Sequence, residues 1–284
     1  MNRLAVLGLA VVTSLTVALA QTTAPVRLYV FDGGILESDP GRYQLTKEDV
    51  GETRLSIACY LIAHPRGLLM WDTCAVPDAE WTPTGQPVAV RLMLADGAER
   101  RVTIQSSLEG QLKAIGRRAS DITHLSLSHY HWDHTANANA FAGATWLVPP
   151  AERQAMFDKP TGTVRPAMYA RLQSSKSVAL TAAEHDVFGD GTVVIKQAPG
   201  HTPGHQVIYV KLAKTGGVLL SGDLYHYSQE RTMNRYPTFE FNVDQTRAAR
   251  ADVDAFLKRT GAQLWIQHDL TAHAKLRKAP QFYE

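Results

Sequence analysis

Six residues, His129-Tyr130-His131-Trp132-Asp133-His134, carry three imidazoles and a carboxylate. Donors packed this densely suggest a metal site, because neutral imidazole and carboxylate suit zinc and the neighbouring first-row metals. An isolated His-x-His is common by chance, and a surface cluster or a pair of core histidines is then the ordinary explanation. The longer HxHxDH spacing argues against that, and so do the donors that follow it. His201 lies in the Gly/Pro-rich turn 198–205, Asp223 ends Ser221-Gly222-Asp223, and His268 stands in Trp265-Ile266-Gln267-His268-Asp269. Each follows an apolar run that reads as a strand, and the shared position tells more than any one segment.

The elements that must position these donors can be read from periodicity and turn signals. Residues 26–31 read as a strand ended by the Asp32-Gly33-Gly34 turn, and 37–52 as polar loop. Residues 55–63 and 68–71 form two strand-like runs around His64-Pro65-Arg66-Gly67, the second ending in Asp72-Thr73. An Asp there can orient a ligating histidine or cap the turn that follows; the dipeptide alone does not choose. Residues 78–97 look like surface loop with room for one short strand, and 106–118 like a helix capped by Ser106 or Ser107. A buried strand over 122–127 delivers His129, and 135–141 is compatible with helix.

Further on, 144–148 reads as strand, 151–157 as helix, and a second helix lies around 167–173. Met156, Phe157, Met168 and Tyr169 there could cover a pocket, although this pattern is more often plain core. Strands at 192–196, 206–211 and 218–220 follow, the last two joined by Lys214-Thr215-Gly216-Gly217. Asp244 is placed to cap a helix running to Arg259, which Gly261 ends, and 263–266 is the strand that delivers His268. Strands bearing donors at their ends, with helices between, suggest an α/β (α+β) fold of two mixed sheets packed face to face with helices outside.

The chain has 284 residues and a formal net charge of +2, with lysine and arginine scattered, so no electrostatic footprint for nucleic acid appears. A small, uncharged or mildly polar partner fits that balance. Met1-Asn2-Arg3 and the apolar run to Leu19, with Ala18-Leu19-Ala20 before polar residues, read as a secretory signal peptide cleaved after Ala20. An uncleaved anchor or a buried helix are the competing readings. The expectation is a signal peptide at 1–20 and one catalytic domain at 21–284, periplasmic or secreted and free of the membrane after cleavage. Only Cys59 and Cys74 are present, which allows one bridge in an oxidising compartment. A turn at 64–67 would set Cys59 nearer to Asp72 than to Cys74, so two free buried thiols are the preferred reading.

Taken together, HxHxDH, a His in Gly200-His201-Thr202-Pro203-Gly204-His205, Gly222-Asp223 and a last His268 resemble the metallo-β-lactamase superfamily. The resemblance runs from Cys59 to His268 and implies an αββα sandwich with a two-metal site in the groove between its halves. It implies His129, His131 and His201 on one metal, Asp133, His134 and His268 on the other, and Asp223 bridging them; His205 is not implied as a ligand. The metals would be two divalent ions, zinc first, with iron, cobalt or manganese also accepted by such donors. The segment Gly222-Asp223-Leu224-Tyr225, the 60–72 hairpin and the 263–269 ending resemble the N-acyl homoserine lactonases. That resemblance implies a small lactone substrate, a ring-opening hydroxide held between the metals, and Asp133 shuttling a proton to the leaving oxygen; a homodimer is allowed, but the sequence does not give the oligomeric state. Many lactonases place a Tyr three residues after the bridging Asp; here that position is His226, between Tyr225 and Tyr227, and His226 is the further catalytic candidate.

Overall fold

Nearly every side chain of the strand Leu55–His64 is buried, and its two faces enter different cores. Ile57, Cys59 and Leu61 pack with Phe31, Met70 and Leu125. Ala58, Tyr60 and Ile62 pack instead with Leu28, Val193, Ile208 and Leu220. A strand covered on both faces belongs to an inner layer, which fixes the architecture around it.

The structure is a computed structural model that describes residues 25–158, 160 and 163–284. In chain order the strands are β1 Arg27–Leu36, β2 Leu55–His64, β3 Gly67–Trp71, β4 Val88–Met93, β5 Glu99–Ile104, β6 His124–Ser126, β7 Thr145–Val148, β8 Ser177–Ala179, β9 Glu184–Asp186, β10 Val193–Gln197, β11 Gln206–Leu212, β12 Gly216–Leu220 and β13 Gln263–Trp265. One sheet runs β4-β5-β1-β2-β3-β6-β7-β8 and the other β13-β12-β11-β10-β9. Both are mixed, because β3, β6, β7 and β8 pair in parallel, as do β12 and β13, while the rest are antiparallel. The core shared by Ile62 and Ile208 lies between the sheets. The α-helices are α1 Lys47–Val50, α2 Leu108–Ala114, α3 Trp132–Thr135, α4 Pro150–Phe157, α5 Ser228–Thr232, α6 Val243–Thr260 and α7 Leu270–His273. Leu108 and Leu112 of α2 cover the outer face of the first sheet, and Ala249, Val253 and Phe256 of α6 cover the outer face of the second. The expected two mixed sheets with helices outside are therefore present.

Several local expectations change. The Asp32-Gly33-Gly34 turn is a β-bulge inside β1 rather than its end. Gly34 has φ +106°, and a Cβ there would lie 2.8 Å from the Thr103 carbonyl of β5, so the close pairing of β1 with β5 requires glycine. The one short strand allowed within 78–97 is β4, and it pairs with β5, a strand just beyond that region that the sequence reading did not place. Asn242, not Asp244, caps α6, accepting from the Gln245 amide. Met156 and Tyr169 are buried in the first-sheet core with Phe157 against them, so they are core rather than cover. Cys59 and Cys74 are joined in a disulfide, against the expectation of free thiols. The hairpin register does set Cys59 near Asp72, but Asp72 (φ 57°) and Cys74 (φ 59°) are both left-handed, and this crook returns Cys74 to within 5.3 Å Cα–Cα of Cys59. The expected signal peptide falls on residues outside the described ones. No helix among the described residues is long and apolar enough to cross a membrane.

Candidate metal centre

β6 is short and ends at Ser126, so the chain leaves the sheet early and reaches α3 after five residues, 127–131. His129 and His131 project from this connection, and Asp133 and His134 from the single turn of α3. The second sheet brings the other donors, also at strand ends: His201 between β10 and β11, Asp223 after β12 and His268 after β13. Gly200 makes the first of these turns feasible, since it has φ +138° and its Cα lies against Thr246 of α6 with no room for a side chain.

The donors form two buried groups, His129, His131, His201 and Asp223, and Asp133, His134 and His268. In the first, His131 Nδ1 lies 2.9 Å from His129 Nε2 and 3.0 Å from His201 Nε2. In the second, His134 Nε2 lies 3.3 Å from His268 Nε2. Four donors about 2.1 Å from a tetrahedral ion stand about 3.4 Å apart, so these spacings fit a common cation. Asp223 divides between the groups. Its Oδ2 is 3.5 Å from His129 Nε2 and 3.4 Å from His201 Nε2, while its Oδ1 is 3.0 Å from both His134 Nε2 and His268 Nε2. Oδ1 is also a buried oxygen without a hydrogen-bond partner, the kind of atom a bound cation satisfies.

The profile of the metallo-beta-lactamase superfamily matches residues 53–262, which contain all of these donors except His268. The chain belongs to the metallo-beta-lactamase superfamily. It is similar to the N-acyl homoserine lactonase AttM of Azorhizobium caulinodans, 26% identical over 264 residues that cover 91% of this chain and 99% of the relative. The N-acyl homoserine lactonase AiiA of Bacillus thuringiensis subsp. kurstaki is 23% identical over 80% of this chain and 87% of its own. Among solved structures, an N-acyl homoserine lactone hydrolase with the product N-hexanoyl-L-homoserine at its catalytic metal centre superimposes with a TM-score of 0.73, at 20% identity, over 90% of this chain and 98% of that one. AidC, a dizinc quorum-quenching lactonase, gives 0.61 at 18% identity, over 91% and 94%. The chain is thus a lactonase-like hydrolase of this superfamily.

As in other sites that hold metals, the far nitrogens of four of the five imidazoles are engaged. His134 Nδ1 meets Asp72 Oδ2 at 2.9 Å, His129 Nδ1 meets Ser128 Oγ at 3.1 Å, and His268 Nδ1 donates to the Ser56 carbonyl at 2.7 Å. Of the two readings of Asp72, the orienting one holds. His201 Nδ1 meets Glu240 Oε1 at 2.9 Å, and the other Glu240 oxygen accepts from Thr246. Glu152 braces the two histidine loops against each other, accepting from the Tyr130 and Gly204 amides and from Thr202 Oγ1. Glu240 and Glu152 escaped the sequence reading, since nothing local marks either. His205 is excluded from ligation as expected: Nδ1 donates to the Ala198 carbonyl at 3.0 Å, and Nε2 accepts the Asp223 amide at 2.9 Å.

The electrostatics favour neutral imidazoles around His129 and His131. Burial, followed by the nearby His134 and His201 respectively, holds both well below the usual histidine range. For His134 burial acts downward too, but Asp223, Asp72 and Asp133 outweigh it and raise the group. Burial would raise Asp223, yet the surrounding histidines hold it well below the usual carboxylate range.

His226 belongs to neither group but touches both. Its Nε2 is 3.0 Å from Asp223 Oδ2, and its ring stacks on His268 at 5.4 Å. Glu230 sits beneath it, accepting from the His226 and Tyr227 amides and binding Arg250 Nη2 at 2.8 Å. Burial would lower His226, but Asp223 and Glu230 overcome that and raise it to about 10. Tyr225 and Tyr227 turn elsewhere: Tyr225 lies under Arg250, and Tyr227 donates to the Thr53 carbonyl. A pocket lined by Tyr43, Leu55, Trp132 and Phe239 opens onto His131, Asp133, Asp223 and His226.

Proposed function

We propose that the chain is an exported, dinuclear metal hydrolase that opens the lactone ring of N-acyl homoserine lactones. The observation that carries the reading is Asp223, whose two oxygens face two separate imidazole groups in a chain similar over nine-tenths of its length to named lactonases. His129, His131 and His201 would hold one cation and Asp133, His134 and His268 the other, with Asp223 placed to serve both; zinc suits the donors best. Two such cations supply an activated water near neutral pH and polarise a carbonyl oxygen.

The remaining work falls to the chain. Asp133 faces the pocket, accepts the proton released as water adds to the lactone carbonyl, and returns it to the ring oxygen as the C–O bond breaks. His226, a proton donor on the pocket wall, steadies the substrate oxygen where many lactonases use a tyrosine. The Cys59–Cys74 bridge supports export to an oxidising compartment, as do the N-terminal residues.

The test is a hydrolysis panel on protein with measured metal content. Acyl homoserine lactones should open across a range of chain lengths, and a two-metal protein that opens none defeats the reading. Thioesters, phosphotriesters and β-lactams belong in the same panel, because scaffold and metals do not fix the substrate. His226→Phe should lower kcat by about 100-fold with both metals retained, and an unchanged kcat removes His226 from the chemistry. Cell fractionation tests the export.

A further inference from the structure

The pocket above the metal centre has a wall that the ring-opening chemistry does not use. Besides its apolar side chains it is lined by two guanidinium groups, Arg42 and Arg100, brought from separate elements. The carboxylates lining it are Asp133 and Asp223, and both belong to the metal-ligand groups.

Arg100 is placed by strand alternation. On the β4–β5 hairpin Arg91 and Arg101 stand opposite each other and share Glu99, at 3.7 and 3.1 Å. Alternate residues of a strand face opposite sides, so Arg100 points the other way, beside Leu92, which is buried. An arginine on the inward face of a strand normally has a carboxylate partner. Arg100 has none among the described residues; its Nη1 donates to the Glu99 carbonyl at 3.1 Å. Arg42 comes from the 3-10 turn Pro40–Tyr43 and lies over the Phe239 ring, Cζ 4.5 Å from the centroid. Phe239 in turn stands 5.8 Å from the His201 ring and 5.9 Å from the His226 ring, so Arg42 is one aromatic layer from the centre. It too lacks an acidic partner among the described residues.

We propose that Arg42 and Arg100 make this pocket select lactones whose acyl arm ends in a carboxylate. The inference rests on the lactonase reading and adds the substrate class. A guanidinium fork matches a carboxylate bidentately, the apolar wall packs the methylenes between the ring and the acid, and a plain alkyl arm leaves both cations without a partner.

The experiment compares glutaryl-homoserine lactone with its isosteric primary amide on the metal-loaded protein. The acid should have the higher kcat/KM by about tenfold at low salt, with the preference shrinking as salt is added. In Arg42→Gln/Arg100→Gln the acid-to-amide ratio should fall to about one; because both substrates meet the same protein, losses in folding or metal content cancel. A wild-type ratio near one, or a ratio the double variant keeps, overturns the proposal while leaving lactone hydrolysis standing. If neither lactone is opened, the panel of alkyl acyl homoserine lactones tells whether the lactonase reading itself fails, and calorimetry on the two ring-opened products decides the arginine assignment. Tighter binding of the acid, lost in the double variant, supports the arginine assignment, and equal affinities overturn it.

Discussion

Asp72→Asn should strip the second metal site while sparing the first. Asp72 Oδ1 accepts the Ser128 amide at 2.6 Å, and its Oδ2 accepts from Ser128 Oγ, His134 Nδ1 and Gln267 Nε2 at 2.9, 2.9 and 2.8 Å. An asparagine keeps only one accepting oxygen. Left at the Oδ1 position, that oxygen preserves the short bond to Ser128, and so the connection carrying His129, but turns an NH2 toward the N–H groups of His134 and Gln267. An unpaired buried donor costs about 1–3 kcal/mol, and a ligating histidine without its orienting partner weakens metal binding about 10–100-fold. Competition against a chromophoric chelator resolves the two metal equivalents. One should keep its wild-type affinity and the other should fall by that factor. Two unchanged equivalents, or two that weaken together, would refute the assignment of Asp72 to the His134 site.

Gly200→Ala would drive a Cβ into the backbone N of Thr246 at a φ that disfavours a side chain; about 2–3 kcal/mol of stability should be lost in chemical denaturation, along with metal in the His201 group. Cys59→Ser/Cys74→Ser should cost about 3 kcal/mol by the same assay, the loop-closure value for a bridge spanning 15 residues. His273 is buried with an unpartnered Nε2, and burial, then Lys278 and His268, lower it to about 3. The unfolded chain therefore takes up the proton first as pH falls, so stability is intact above about 6.5 and drops by about 2 kcal/mol between pH 6.5 and 5. His273→Leu should flatten that slope in unfolding curves measured across this range, and an unaltered slope would assign it to other groups.

The donors that the fold brings together were legible because four of them crowd into one motif and the rest end apolar strands, where alternation has already fixed the direction of the chain. Asp72 was half legible: its place at the end of β3 was clear, but whether it turned to His134 or to its own turn depends on a left-handed backbone that no neighbouring residue announces. The same crook explains the error at Cys59 and Cys74. Counting along a regular hairpin is sound until the hairpin stops being regular, and Asp72 and Cys74 at positive φ are where it stops. Glu152, Glu230 and Glu240 went unmarked because their partners Thr202, Arg250 and His201 stand 20 or more residues away in the chain. The β4–β5 hairpin was hidden by alternating polar residues on a partly exposed sheet edge.

The division of ligands between the sheets has a consequence for the life of the protein. Neither sheet owns a complete group: His129 and His131 need His201 and Asp223 from across the groove, and Asp133 and His134 need His268. A cation that binds only the closed arrangement opposes its opening by mass action, about 2.7 kcal/mol for each site at a hundredfold excess over Kd. Where metal is scarce that opposition is lost, and the chain should be cut more readily by proteases. Abundance of the protein should then track the local supply of the ion, with turnover of the chain acting as a gauge of metal in its surroundings.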